Sequence, residues 1–201
     1  MVLISIEGID GSGKSSLHEA LRQEFSSINP VMTREPGATW VGDQVRRAIA
    51  EHQDPMTEAL LFVADHAAHL ATIIKPALNK GHLVITDRYI DSRIAYQGIS
   101  LMQVLNDPVQ WLTKIHEGWT ILPDMTLLLI IPPAIALTRI EKRAGREHFE
   151  EREFLSAVQE QYLIRAEHDP NRFVLIDATK EPDEILHFAA DSIRERFFNP
   201  K

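Results

Sequence analysis

The segment Val2-Leu3-Ile4-Ser5-Ile6-Glu7-Gly8-Ile9-Asp10-Gly11-Ser12-Gly13-Lys14-Ser15-Ser16 decides how the rest of the chain is read. Residues 2–6 are apolar at every position but Ser5 and read as a strand buried on both faces. Residues 8–15 fit G-x-x-x-x-G-K-[ST] without a mismatch. Average residue frequencies give such a match by chance in roughly one chain of this length per hundred or more. Here it also follows an apolar strand and opens a helix, as the mechanism requires. The backbone of Gly8, Asp10, Gly11, Ser12 and Gly13 is then expected to wrap a nucleotide's phosphates, with the helix N-terminus facing the same anion. Lys14 would reach the β- and γ-phosphates, Ser15 would ligate Mg2+, and Ser16 would stand beside them at the helix start.

Working outward, a helix is expected from about Lys14 to Phe25 and a short strand at Val31–Thr33. Helical patterns follow at about Val41–Glu51 and Thr57–Lys80, the second closed by Asn79-Lys80-Gly81. Pro76 lies inside that second pattern and should kink it or set off its last turn. Leu83–Thr86, Met125–Ile131 and Phe173–Ile176 are three further strands. Apolar strands alternating with helices predict one three-layer α/β domain over residues 1–201, a five-stranded parallel sheet with helices on both faces.

Composition narrows the function classes. The chain has 201 residues, 44% apolar and 25% charged, as in soluble globular proteins. A net charge of −8 argues against sequence-independent nucleic-acid binding, which needs a basic surface. The absence of cysteine excludes disulfides, thiolate metal sites and a cysteine nucleophile. The N-terminal segment has no basic n-region, and the apolar run Met125–Leu137 is short and broken by Pro132-Pro133. The expectation is a cytoplasmic protein with no membrane partner.

The glycine loop is shared by switch GTPases, ATPases and kinases, so other segments must separate them. Leu83-Val84-Ile85-Thr86-Asp87 ends a strand in a carboxylate suited to hold Mg2+ through water, and no guanine-reading Asn-Lys-x-Asp segment is present. His66 and His69 stand at i and i+3 without a third ligand or an H-E-x-x-H spacing, which argues against a metal site.

Five further ordered segments carry a resemblance: TREPGAT at 33–39, LLFVAD at 60–65, IKPAL at 74–78, DRYIDS with AYQG at 87–98, and LPDMT at 122–126. With the glycine loop, the chain resembles the thymidylate kinases, P-loop nucleoside-monophosphate kinases, over nearly its whole length. The resemblance implies a P-loop kinase fold with a short lid at about 139–152, and transfer of a phosphoryl group from ATP, with Mg2+, to dTMP for dTTP synthesis. The partners it implies are these small nucleotides and a second copy of the chain in a homodimer. It further implies that Arg34, Arg46 and Arg88 grip the acceptor phosphate, and that Asp10 stands near the acceptor's 3′-hydroxyl and the metal. Phe62 would stack on thymine, Tyr96 and Gln97 would crowd the sugar's 2′ position and face the base, and Glu35 and Ser92 would complete the pocket. Gly11, where some members carry arginine, resembles the branch in which the lid supplies the catalytic arginine, here Arg143 or Arg146, with Arg146 preferred for its neighbour Gly145.

The chain departs from the pattern at Ala38, Ile130 and Glu147-His148, and at two positions on helices that should both line the acceptor pocket. Many members have arginine where His66 stands and serine where Arg93 stands. The reading is compensation: Arg93 supplies the guanidinium and His66 fills the vacated space. Two rivals are a kinase for another deoxynucleoside monophosphate such as dUMP and a nucleotide-binding regulatory module with little turnover. Arg34 and Arg46 argue against a deoxynucleoside acceptor, which has no phosphate to grip.

Overall fold

The computed structural model describes residues 1–141 and 151–198. From the N-terminus, β1 (Val2–Gly8) runs through the glycine loop into α1 (Lys14–Glu24), and β2 (Val31–Arg34) leads to α2 (Trp40–Ala50) and α3 (Pro55–His69). After α4 (Lys75–Asn79) come β3 (Leu83–Asp87), α5 (Ile90–Ser100), α6 (Pro108–His116), β4 (Met125–Ile130) and α7 (Pro133–Glu141). The chain closes with α8 (Arg152–His168), β5 (Phe173–Asp177) and α9 (Pro182–Ile193). The sheet has the order β2-β3-β1-β4-β5, and every pairing is parallel.

The central strands β1, β3 and β4 bury both faces, and the period of two sorts their side chains into two cores. Ile4 and Ile6 of β1 and Leu83 and Ile85 of β3 meet Leu17 and Leu21 of α1. Leu3 and Val84 point the other way and pack with Leu78, Ile90 and Ile94. A slip of one residue would exchange the two sets, so burial fixes the register. Ser5 and Glu7 share Leu3's side of the sheet and are fully buried. Each must therefore find a polar partner, and Ser5 Oγ lies 3.0 Å from Thr126 Oγ1.

Helix boundaries follow local chemistry. Asp54 accepts from the Met56 and Thr57 N–H groups at 3.1 and 3.0 Å, and Pro55 takes the first helical position, so α3 begins two residues before the expected Thr57. Leu70–Ile74 winds as a π-helix ahead of α4, and Pro76 lies in the first turn of α4, setting off the last turn as the sequence suggested. Gly81, at φ 80°, closes that helix with its N–H on the Leu78 carbonyl. By length and apolar composition Pro55–Asn79 would suffice to cross a membrane. Its inner face nevertheless buries Glu58, Asp65, His66 and His69, while Leu60, Ala64, Ala67 and Ala71 line its outer face.

Parallel pairing brings the carboxyl ends of β1, β3 and β2 into line. Ile6 registers with Asp87, and Asp87 with Arg34. Gly8 at the end of β1, with Arg88 and Glu35 just beyond β3 and β2, thus opens onto one crevice, where ligands bind in open α/β sheets.

Candidate active site

The glycine loop is shaped by close approaches. A Cβ at Gly8, where φ is 140°, would lie 2.6 Å from the Leu129 carbonyl oxygen. One at Gly11, at φ 79°, would lie 2.4 Å from the Ala136 carbonyl oxygen of α7. Lys14 folds back over the loop, its Nζ donating to the Ile9 carbonyl at 2.8 Å and standing 4.0 Å from Asp10. Burial pushes the Lys14 ammonium down to about 8, and Arg88 adds to the push, while Asp10, Asp87 and Glu7 pull the other way. Ser12 Oγ is buried without a hydrogen-bond partner beside the loop, a donor left for an anion's oxygen. Ser16 is exposed on α1 and is not part of the cavity wall.

Arg88 is the junction between this loop and the pocket beside it. Its φ of 66° places a non-glycine residue in the left-handed region, a conformation held only where surroundings compensate. Its N–H donates to the Ile6 carbonyl at 3.0 Å, and its guanidinium donates to the Gly8 carbonyl, to Ser92 Oγ at 3.0 Å and to Asp10. Tyr96 completes the junction: its hydroxyl donates to Asp10 Oδ2 at 2.8 Å and accepts from the Asp10 N–H at 2.9 Å. Loss of solvent would raise the Asp10 carboxyl, but Arg88, Lys14 and the Tyr96 hydrogen bond outweigh it and hold it below the usual range.

A cavity of about 440 Å³ opens from the loop. It unites Asp10, Gly11, Gly13, Lys14, Ser15 and Asp87 at one end with Arg34, Glu35, Arg46, Phe62, Arg88, Ser92, Arg93, Tyr96 and Gln97. Arg46 donates to the Pro36 carbonyl at 3.0 Å and its guanidinium crosses over Gly37. Neighbouring Arg47 instead pairs with Glu51. Of the residues anticipated for the acceptor, His66 alone stands off the wall: it is fully buried behind Glu35. Its Nδ1 lies 3.0 Å from Glu35 Oε1, and Arg93 donates to Glu35 Oε2 from the other side.

A phosphate-wrapping loop and a pocket lined by Arg34, Arg46 and Arg88 suit two phosphorylated ligands facing each other. Comparison with known proteins decides which kinase this is. The family model for thymidylate kinase matches residues 6–188. The chain belongs to the thymidylate kinase family. It is a phosphotransferase that phosphorylates dTMP with ATP. It is 54% identical to a probable thymidylate kinase of Methanospirillum hungatei over 98% of this chain and 95% of that one. It is 56% identical to that of Methanoculleus marisnigri, covering 96% and 94%. With the probable thymidylate kinase of Natronomonas pharaonis it shares 40% identity, covering 96% and 97%.

For a thymidylate kinase the oxygen donors present fit Mg2+. Ser15 Oγ donates to Asp87 Oδ2 at 2.8 Å, placing a hydroxyl and a carboxylate together at the loop's edge. Among the described residues no group of three or more His, Asp or Glu side chains could hold a metal alone. Mg2+ asks for no such group, because it keeps several waters and takes substrate phosphates as ligands.

Two residues that sequence reasoning passed over support this kinase's pocket from beneath. Glu7 is fully buried, and its Oε2 accepts from Ser92 Oγ and, at 3.2 Å, from Tyr162 of α8. Burial pushes the Glu7 carboxyl up to about 7, with Asp91 adding to the rise, against the hydrogen bonds and Arg88. Glu7 stands inside the quoted EGIDG segment, and its place on a buried strand was the available signal. Tyr162 carried none. Asp91, within DRYIDS, is buried under Arg165 and Arg172 and ties α5 to α8. The lid arginines Arg143 and Arg146 lie outside the described residues.

Proposed function

We propose that dTMP occupies the 440 Å³ cavity with its phosphate toward the glycine loop and its base toward Phe62 and Arg93. The observation that carries this reading is the continuous cluster Lys14, Asp10, Arg88 and Tyr96, which joins the ATP loop to the acceptor pocket. Two polyanions must meet head to head, so catalysis rests on positioning and charge neutralisation. Lys14 neutralises the β- and γ-phosphates of ATP, and Arg34, Arg46 and Arg88 hold the acceptor phosphate. Ser15 and Asp87 would hold Mg2+, which would neutralise further charge on the ATP phosphates. No general base is required, because the acceptor oxygen is already anionic. Arg143 or Arg146, with Arg146 preferred, brings the cation that Gly11 does not.

At the base end Phe62 offers a stacking face, Gln97 stands beside it, and Arg93 presents N–H donors only. A donor-only group favours a 4-keto pyrimidine over a 4-amino one, so dUMP is the natural competitor of dTMP and dCMP is not. Tyr96, tied to Asp10, stands against the sugar. The cytoplasm holds both substrates, and the exposed apolar row Leu60, Ala64 and Ala67 on α3 with Ala71 on the π-helix after it suits a homodimer contact. Lys14→Ala tests the core of the reading. Turnover of dTMP should fall by about three orders of magnitude with unchanged circular dichroism; near-normal turnover would end it.

A further inference from the structure

We infer that His66 and His69 are positioning residues for base recognition: together they hold the Glu35 carboxylate, and Glu35 in turn holds the Arg93 guanidinium at the base end of the cavity. This rests on the reading above that Arg93 faces the base.

The four side chains form one closed device. Glu35 and Arg93 line the cavity, whereas His66 and His69 are fully buried behind them. Glu35 Oε1 meets both imidazoles, at 3.0 Å from His66 Nδ1 and 2.5 Å from His69 Nδ1. Its Oε2 accepts from Arg93. The far nitrogens are matched as well: His66 Nε2 lies 2.6 Å from Thr120 Oγ1 and His69 Nε2 lies 2.6 Å from Thr33 Oγ1.

An ionised carboxylate only accepts, so His69 Nδ1 must carry hydrogen, and so must His66 Nδ1 for its 3.0 Å contact with Glu35 Oε1, which is shorter than its 3.3 Å approach to the Arg93 Nη2 donor. Burial pushes the His66 imidazole down to about 3, with neighbouring His69 adding to the push, and pushes His69 down to about 4; Asp65 acts weakly against both. Neutral rings protonated at Nδ1 have Nε2 free to accept, and the two threonine hydroxyls donate there. The cluster thus holds one anion, one cation and two neutral donors, a balanced set for a buried place.

Geometry explains why two histidines serve. Spaced i and i+3, they leave one face of α3 together. A lone Glu–Arg pair could swing, but a carboxylate tied to three donors from two elements cannot. Arg93 is further anchored to the Phe62 carbonyl at 3.4 Å, so the stacking face and the donor share a frame. The expected ligand group is the 4-keto oxygen of a pyrimidine, and loss of the frame should weaken both its binding and its choice over a 4-amino group.

The test uses variants of the whole chain at both histidines, their threonine partners and Arg93. Asparagine places an amide N–H near the position of Nδ1, and leucine does not. We expect His69→Leu and His66→Leu to raise the KM for dTMP about ten-fold and to narrow the dTMP over dCMP preference by a similar factor. The kcat should stay within about two-fold. His69→Asn and His66→Asn should recover most of the loss. Equal behaviour of the Asn and Leu variants, or unchanged KM and preference in both Leu variants, overturns the inference. Where a Leu variant does not fold, Thr33→Val and Thr120→Val release the same tautomers with less disturbance and should raise the KM in the same sense; no change there overturns it. Arg93→Met separates the two levels: an unaltered base preference in that variant sinks the reading beneath the inference, whereas an altered one with unaltered histidine variants sinks the inference alone.

Discussion

Arg88 and Asp10 are paired across the boundary between the glycine loop and the cavity beside it, and Tyr96 bonds to the Asp10 carboxylate at 2.8 Å. The pair joins the two halves of the site. It also explains how Arg88 keeps its φ of 66°. Its guanidinium is held by a carbonyl, two hydroxyls and a carboxylate at once.

Replacing Arg88 by alanine should therefore lower kcat/KM for dTMP by at least about a hundred-fold. Lysine should restore little, since one ammonium cannot reproduce the four directed contacts of a planar guanidinium. Steady-state kinetics of both variants check this, and full rescue by lysine would show that charge alone suffices.

The proton on Lys14 sets a second expectation. In the ligand-free enzyme its ammonium lies at about 8, below the ordinary lysine value, because it is buried. Raising the pH through 8 removes the charge that ATP meets. ATP affinity measured without acceptor should thus be constant below about pH 7 and fall above about pH 8. A flat profile to pH 9.5 would contradict the role given to Lys14.

Gly11 gives a prediction about what the loop cannot carry. A side chain there would run into the Ala136 carbonyl of α7 at 2.4 Å. Gly11→Arg should accordingly lower both the melting temperature and turnover, although it adds a cation beside the phosphates. A gain in activity would show that α7 gives way.

Thr39 offers a check on the fold alone. It caps α2 by accepting from the Val41 and Gly42 N–H groups at 3.1 Å each, and it donates to buried Asp65 at 2.5 Å. Thr39→Ala removes a cap and strips a buried carboxylate of its donor. The cost should be about 1–3 kcal/mol in urea unfolding. A loss under about 0.5 kcal/mol would mean that water replaces the hydroxyl at both places.

How far the sequence spoke depends on whether a feature is local. The parallel sheet, the glycine loop and the closing turn at Gly81 follow from short-range pattern and steric need, and all three stand where the sequence puts them. Helix α6 was not anticipated, although Asp107 caps it and Pro108 begins it; nine residues leave little room for a period to declare itself. Buried partnerships were less legible still. Arg93 was legible as a guanidinium facing the pocket, but not the carboxylate and two imidazoles behind it, since Glu35 and His69 meet only through the fold. The same holds for Tyr162, which reaches Glu7 across 155 positions of sequence.

The measurement that tests the account most directly is acceptor-dependent ADP release with ATP and Mg2+, comparing dTMP, dUMP, dCMP and thymidine. The account predicts dTMP as the best acceptor, dUMP as the nearest competitor, little turnover of dCMP, and none of thymidine, which lacks the phosphate that Arg34, Arg46 and Arg88 would hold. Comparable turnover of dCMP, or phosphorylation of thymidine, would contradict it.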